Sequence, residues 1–186
     1  MRLCFIADGR SIHTQRWLEY FAGRHEVHLI TYDPMDRAIP GVSEHVIGSI
    51  FGNLYLDFWP RHIRIHRLIR EIDPDLIHAH FIAKYGFHLP RWKGVPAIVS
   101  AWGDDILILP LRSRLIRAFT GRVLEAADLV YAVSQDIRRH IIEDFGIPPG
   151  KVSYLPFGID VRAFSPGPVE RTPGDHLVLF SNRGFF

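Results

Sequence analysis

The chain has 186 residues, of which 47% are hydrophobic and 23% charged, a balance typical of a globular domain with enough apolar material for a core. The length suits one domain of ordinary size and is too short for two complete ones. A formal net charge of +2 gives no indication of a nucleic-acid-binding surface, and the single cysteine, Cys4, excludes an internal disulfide and a four-cysteine metal site.

Apolar runs of strand length alternate with segments of helical periodicity along the chain. Residues 3–7 predict a strand, the apolar positions from 17 to 22 recur at helical spacing, and residues 27–31 predict the next strand. The alternation continues through strands predicted at 46–50, 76–81, 97–101, 129–133 and 152–155, with helices predicted at 61–72, 113–127 and 135–145. We therefore expect a doubly wound α/β domain with a mostly parallel sheet.

A change in composition marks the end of this domain. Residues 166–174 contain three prolines and two glycines, which is the composition of a linker. Leu177 to Phe180 then predicts a fresh strand, and a lone strand cannot fold by itself. Either further chain follows, or this strand pairs with the first domain. We expect an N-terminal domain of residues 1–165, a linker of residues 166–175, and the first strand of a second domain in residues 176–186.

No segment resembles a secretory or membrane-spanning sequence. The first apolar run is too short for the apolar part of a signal peptide and ends at Asp8. No run approaches the ~20 apolar residues that a transmembrane helix requires. We therefore expect a cytoplasmic protein.

In a doubly wound sheet, ligands bind beyond the carboxyl ends of the strands. Applied to the predicted strands, this rule selects the segments Asp8 to His13, His80 to Tyr85, Trp102 to Asp105, Ser134 to Gln135 and Pro156 to Asp160.

The turn after the first strand has the chemistry of an anion or sugar site. Gly9 permits a tight turn, and the next helix offers free N–H groups and the positive end of its dipole, with Arg10 and His13 beside it. The G-x-G-x-x-G pattern of dinucleotide-binding turns is absent. On these residues alone, an ordinary strand-to-helix turn is an equally good interpretation.

Two histidines, His78 and His80, lie on one face of the fourth predicted strand. Paired histidines bind zinc and occur in metal-dependent hydrolases built as β/α barrels, which is a second enzymatic class to consider. The chain is too short for a barrel of ~250 residues, and no further cluster of metal ligands accompanies the pair. We therefore expect no metal, with His78 packed in the core and His80 reaching the cleft.

The segment Trp102-Gly103-Asp104-Asp105 is the most suggestive cluster, because two acids directly follow an apolar strand. Carboxylates at this place suit hydrogen bonds to hydroxyl groups, and Gly103 lets the backbone approach a ligand closely. The competing interpretation is that Asp104 or Asp105 caps the next segment. The position in the fold favours a binding role.

Arginines recur at every third position of the predicted helix 61–72, close to Trp59; they are Arg61, Arg64, Arg67 and Arg70. On a helix they spread over about half of the circumference. This pattern is typical of a solvated helix face, and with the neighbouring apolar residues it also suits contact with an anionic membrane.

Five groups of residues, in order along almost the whole chain, together resemble glycosyltransferase family 4. They are Phe5–Asp8 with Arg10–Thr14 and Trp17; Pro74–His80; Ala101–Leu107; Ala127–Val130 with Val133–Ser134; and Leu155–Asp160 with Phe164. Each group alone is weak evidence for the resemblance, whereas all five groups in this order are specific to the family.

The resemblance implies one half of a GT-B enzyme, in which two Rossmann-like domains face each other across a cleft. The N-terminal domain binds the acceptor, the C-terminal domain binds a nucleotide diphosphate sugar, and transfer retains the anomeric configuration without a metal or other cofactor. The acceptor is then a glycan or a lipid-linked molecule at the inner face of the cytoplasmic membrane. The alternative is a non-catalytic acceptor-binding or scaffold subunit that recruits a separate donor-binding chain.

The resemblance and the predicted fold together give roles to individual residues. We assign Asp104 and His80 as catalytic, Arg183 as binding the donor phosphates, and as acceptor-binding Gly9, Arg10, His13, Trp102, Gly103 and Asp105. The sequence departs from the family at Trp102, where a histidine is common, and at Phe157, where an asparagine is usual. The paired glutamates of the donor domain are not in this sequence.

Overall fold

The structure, a computed structural model, describes residues 1–89 and 94–165. The predicted linker at 166–175, the predicted strand in 176–186 and Arg183 lie outside the described residues.

Within this part of the chain, parallel strands form one seven-stranded sheet in the order β3-β2-β1-β4-β5-β6-β7. The strands are β1 Arg2–Ile6, β2 Glu26–Thr31, β3 Val42–Val46, β4 Leu76–His80, β5 Ala97–Ala101, β6 Leu129–Ala132 and β7 Val152–Tyr154. The direction of the strand order reverses between β1 and β4, which is where sheets of this kind bind ligands. The doubly wound parallel sheet predicted from the sequence is confirmed.

Helices connect most of the strands and cover both faces of the sheet. They are α1 Ile12–Ala22, α2 Leu54–Ile72, α3 Asp104–Leu107, α4 Leu109–Arg112, α5 Arg114–Ala126 and α6 Gln135–Phe145. A π-helical turn, Phe81–Tyr85, follows β4 and continues into a 3-10 turn at Gly86–His88, and a second 3-10 turn spans Pro149–Lys151.

Strand β1 shows how the sheet is buried on both sides. Its side chains alternate between two cores, with Cys4 and Ile6 in a larger core beneath α2, α5 and α6. Leu3 and Phe5 point the other way, into a smaller core that contains Leu18 of α1. This two-sided burial explains why β1 is a continuous apolar run rather than an alternating one.

Two element boundaries differ from the prediction. The third strand lies at Val42–Val46 and not at 46–50, because it is an edge strand with exposed Ser43 and Glu44 and therefore lacks an apolar run. Helix α2 begins at Leu54, seven residues before the predicted start, and continues through Pro60. The Asn53 side chain accepts hydrogen bonds from two backbone N–H groups of its first turn, which stabilises this early start.

Gly9 packs the β1–α1 turn tightly against β2. Its N–H donates to Thr31 Oγ1 at 3.2 Å, and its carbonyl accepts from Gln15 Nε2 at 3.0 Å. A Cβ atom at this position would lie 2.6 Å from Met35 Cγ and 3.0 Å from Leu29 Cδ2. Gly9 is buried within this packing, so the acceptor-binding role predicted for it gives way to a structural one.

We expect Gly9→Ala to lower the free energy of unfolding by about 1–3 kcal/mol, because the added methyl group overpacks the turn. Gly23→Ala is the matched control, since Gly23 has ordinary helical backbone angles and a methyl group added there would meet no atom within 4 Å. Denaturant unfolding of both variants is the measurement. Equal stability of the two variants would contradict this account of Gly9.

Candidate functional site

A cavity of about 200 Å³ lies at the carboxyl ends of the strands. It is lined by His13, Arg16 and Trp17 of α1, by Ser100 and Trp102 around the end of β5, by Tyr131 and Val133 around the end of β6, and by Leu155, Pro156, Phe157 and Gly158 after β7. An open depression of about 650 Å³ lies at the amino ends of the strands, beside Arg2 and Asp73. Because this class of sheet binds ligands at the carboxyl ends, the smaller cavity is the candidate site.

Three aromatic rings form one wall of the cavity. His13 stacks on Phe157 with ring centroids 3.8 Å apart, and Trp102 meets both rings edge-on at 5.6 Å. Arg16 donates a hydrogen bond to the Gly158 carbonyl at 2.9 Å, which fastens the loop after β7 to α1. Burial, and secondarily the charge of Arg16, lower the pKa of His13, so its ring is neutral at neutral pH.

His80 lies in the protein interior, beside the residues that line the cavity. It is fully buried, its Nδ1 lies 3.1 Å from Thr14 Oγ1, and its Nε2 has no hydrogen-bond partner among the described residues. The Trp102 ring is 5.4 Å away and the Trp17 ring 5.9 Å away. The expectation that His80 reaches the cleft is therefore wrong for this conformation, because α1 packs Trp17 against it.

His78 is packed in the core, as its position in the strand predicted. Its Nε2 lies 2.8 Å from Ser100 Oγ, and its ring is 4.4 Å from that of His80. Burial lowers the pKa of His78 to about 3, and burial followed by the neighbouring histidines lowers the pKa of His80 well below its usual value. Both rings are therefore neutral at physiological pH.

The turn after β5 is held by a buried carboxylate. Asp105 accepts hydrogen bonds from the backbone N–H groups of Trp102 at 3.0 Å and Gly103 at 2.9 Å, and from Ile82 N at 2.9 Å. Burial raises the pKa of Asp105, while these donors favour its charged form. A fully buried carboxylate already engaged by the backbone does not suit contact with an acceptor, so the binding role predicted for Asp105 is replaced by a structural one.

Asp104 has the opposite environment. It is the exposed first residue of α3, and its carboxylate makes no hydrogen bond with any described residue. Gly103 precedes it with φ 146° and ψ −84°, a conformation that glycine adopts readily and other residues rarely do. Gly103 occupies the N-cap position, so the capping alternative does not apply to Asp104. Its side chain is available to a ligand next to Trp102.

The remaining predicted residue, Arg10, is directed toward the end of β2. Its guanidinium pairs with Asp33 at 2.9 Å and with Asp8 at 3.4 Å, and it does not line the cavity. Of the residues assigned from the sequence, only His13 and Trp102 line the cavity.

The prediction missed Arg16, Ser100 and Tyr131. Arg16 lies one helical turn after His13, a spacing that places two side chains on the same helix face. Ser100 and Tyr131 each lie next to the last residue of a strand. Once the strand ends were predicted, Ser100 and Tyr131 could have been identified as site candidates from their positions near those ends.

The described residues contain no group of three or more His, Cys, Asp or Glu side chains arranged to hold a metal ion. In residues 1–89 and 94–165, no helix is long and apolar enough to cross a membrane.

The fold and the site define a Rossmann-like α/β domain with its ligand cavity at the carboxyl edge of a parallel sheet, an architecture shared with GT-B glycosyltransferases. Residues 7–163 match the family described as Glycosyltransferase Family 4. The chain belongs to this family.

A curated relative is the D-inositol 3-phosphate glycosyltransferase of Nocardiopsis dassonvillei, 27% identical over 180 residues, with 81% of this chain and 41% of the relative covered. Among solved structures, HepE from Anabaena in complex with UDP superposes with a TM-score of 0.62 at 16% identity, over 90% of this chain and 47% of HepE. A glycosyltransferase from Rickettsia africae gives a TM-score of 0.62 at 15% identity, over 90% of this chain and 46% of that protein. The chain spans less than half the length of these proteins.

We expect acidification to destabilise the fold through His78. Its pKa is about 3 in the folded chain, compared with about 6.5 in an unfolded one. As the pH falls from about 6.5 toward 3, the unfolded chain binds a proton that the folded chain does not. The free energy of unfolding therefore falls by up to about 1.4 kcal/mol per pH unit for this group.

Denaturant unfolding across this pH range measures the effect. His78→Gln should remove this share of the slope, because glutamine does not titrate in this range. The same pH dependence in His78→Gln and in the unaltered protein would contradict the assignment.

Proposed function

We propose that this chain forms the acceptor-binding half of a retaining glycosyltransferase that uses a nucleotide diphosphate sugar. The acceptor hydroxyl belongs to a glycan or to a lipid-linked molecule. The observation that carries this proposal is the aromatic cavity at the carboxyl edge of the sheet, in a chain whose residues 7–163 match the family. The HepE structures with UDP and with UDP-glucose support a nucleotide-sugar donor.

In this proposal the acceptor sits against Trp102 and His13, which line the cavity, with the indole of Trp102 offering a flat apolar surface. The Asp104 carboxylate accepts a hydrogen bond from a sugar hydroxyl. His80 acts as a positioning residue, because its buried ring contacts Trp102 and Thr14 without lining the cavity. Arg183 meets the donor diphosphate.

The proposed chemistry needs no metal and no further cofactor. The acceptor oxygen forms a bond to the anomeric carbon while the bond from that carbon to the diphosphate oxygen breaks. The acceptor proton passes to the departing diphosphate. The half of the site described here would supply the orientation of the acceptor and its shielding from water.

We also propose that the protein works at the cytoplasmic face of the membrane, in contact with anionic lipids. The first turns of α2 support this proposal, because Tyr55, Leu56 and Trp59 are 81%, 62% and 54% exposed. The arginines of α2 are less available for contact with anionic lipids than their spacing in the sequence indicated, because three of them have partners within the protein. Arg61 donates to the Gly48 carbonyl, Arg64 donates to the Ile47 carbonyl, and Arg67 pairs with Glu71.

Release of nucleoside diphosphate from UDP-glucose and related donors, with and without candidate acceptors, tests the function in the protein that carries this chain. Acceptor-dependent release that leaves the sugar attached to the acceptor in its original anomeric configuration is the expected result. The absence of transfer with every donor and acceptor pair would count against the proposal.

Asp104→Asn should lower turnover by about ten- to a hundredfold, because a charged hydrogen bond formed in the transition state is lost. Its melting temperature should be unchanged, since the carboxylate is exposed. The matched change Asp105→Asn should instead lower the melting temperature, because the amide cannot accept all of the backbone hydrogen bonds that the carboxylate accepts. Steady-state kinetics and thermal melts of both variants are the measurements. Unchanged turnover in Asp104→Asn would contradict the role proposed for Asp104.

A further inference from the structure

A second cavity, of about 340 Å³, lies between α2, the π-helical turn and α4–α5. We call it the side chamber. Its walls are mainly aromatic and aliphatic, with Tyr32, Phe58, Phe87, Ile116 and Phe119 among them. The transfer chemistry proposed above makes no use of it.

The π-helical turn lies next to the side chamber and close to the cavity at the carboxyl ends of the strands, which we call the candidate cleft. Phe81, at the start of the π-helical turn, lies 6.5 Å from the Trp102 ring of the cleft. Ala83 and Lys84, two and three residues further along the same turn, line the side chamber. The turn therefore connects a neighbour of Trp102 to the lining of the side chamber.

One end of the side chamber is cationic. Arg61 and Lys84 lie over the Tyr32 ring, at 4.1 and 5.0 Å from its centroid. Arg61 is engaged with the Gly48 carbonyl, whereas the Lys84 ammonium has no hydrogen bond or ion pair with any described residue. Burial is the main influence on Lys84 and lowers its pKa, while the charges of Asp8 and Asp33 act in the opposite direction without forming an ion pair with it.

The rim of the side chamber is apolar and exposed. Tyr55 and Leu115, which line it, are 81% and 67% exposed, and nearby Leu111 of α4 is 78% exposed. The segment that forms α4 and most of α5 is basic, because residues 106–124 contain four arginines and no Asp or Glu. An apolar opening among cations is complementary to an anionic amphiphile.

We propose that the side chamber binds the hydrocarbon chain of a phosphate-bearing lipid, with the phosphate on Lys84. This inference rests on the proposed function and narrows it, because the bound lipid is then the acceptor. The volume lies at the lower end of the ~300–1,000 Å³ of small-molecule sites and suits one segment of a single chain. The sugar-accepting part of the lipid extends past the π-helical turn to Trp102.

Calorimetric titration with decyl phosphate, decanol and inorganic phosphate tests the proposal without any transfer assay. We expect decyl phosphate to bind more tightly than either fragment molecule. Because binding is measured without a donor, loss of transferase activity and loss of this site are distinguishable. Binding of inorganic phosphate as strong as that of decyl phosphate would overturn the role of the apolar walls.

Two variants and a control locate the binding. Leu115→Glu should weaken decyl phosphate by about tenfold or more, because it places a carboxylate at the opening. Ile63→Glu adds the same charge to α2 at a 66% exposed position that does not line the side chamber, and it should bind normally. Lys84→Met should weaken decyl phosphate by about tenfold and leave decanol unchanged.

Equal effects of Leu115→Glu and Ile63→Glu would overturn the proposal in favour of non-specific surface charge. Failure of decyl phosphate to bind the unaltered protein would also overturn it, and the exposed rim would then be better explained by a protein partner. Circular dichroism of each variant checks that the fold is retained.

Discussion

The arrangement of both cavities depends on the hydrogen bonds that the buried Asp105 carboxylate accepts. One of its oxygens holds the backbone of Trp102 and Gly103, which shape the candidate cleft, and the other holds the first turn of the π-helical segment beside the side chamber. A single buried group therefore ties the turn after β5 to the start of the π-helical turn. Its cost of burial is offset by backbone donors that would otherwise lack partners in a region with no regular sheet pairing.

The sequence pattern located the strands that are buried on both faces of the sheet. It misplaced a strand that is only partly buried. Strands such as β5 are continuous apolar runs, so pattern alone located them. The exposed edge strand β3 carries Ser43 and Glu44, and its weak pattern led to a prediction several residues too late. Helix α2 was predicted to start at residue 61, whereas it begins at Leu54 and continues through Pro60, with the Asn53 cap stabilising this earlier start.

For the candidate site, the sequence located residues at the carboxyl edge of the sheet but could not predict how deeply each side chain is buried. His80 and Asp105 follow the same positional rule as Trp102 and Asp104, yet both are fully buried. Depth depends on which side chain of another element packs on top, as Trp17 does against His80, and this packing leaves no trace in local spacing. Gly9 was assigned to acceptor binding from its place in the turn after β1. Its crowding could not be predicted locally, because the side chains responsible come from β2 and the segment after it.

The loop after β7 crosses the opening of the cleft before the chain continues. Phe157 lies flat on His13, and Gly158 is tied to Arg16, so the segment that leads onward starts at the lip of the binding cavity. Moving this segment away from α1 would break both the His13–Phe157 stack and the Arg16–Gly158 hydrogen bond. The shape of the cavity and the position of the loop after β7 are therefore linked.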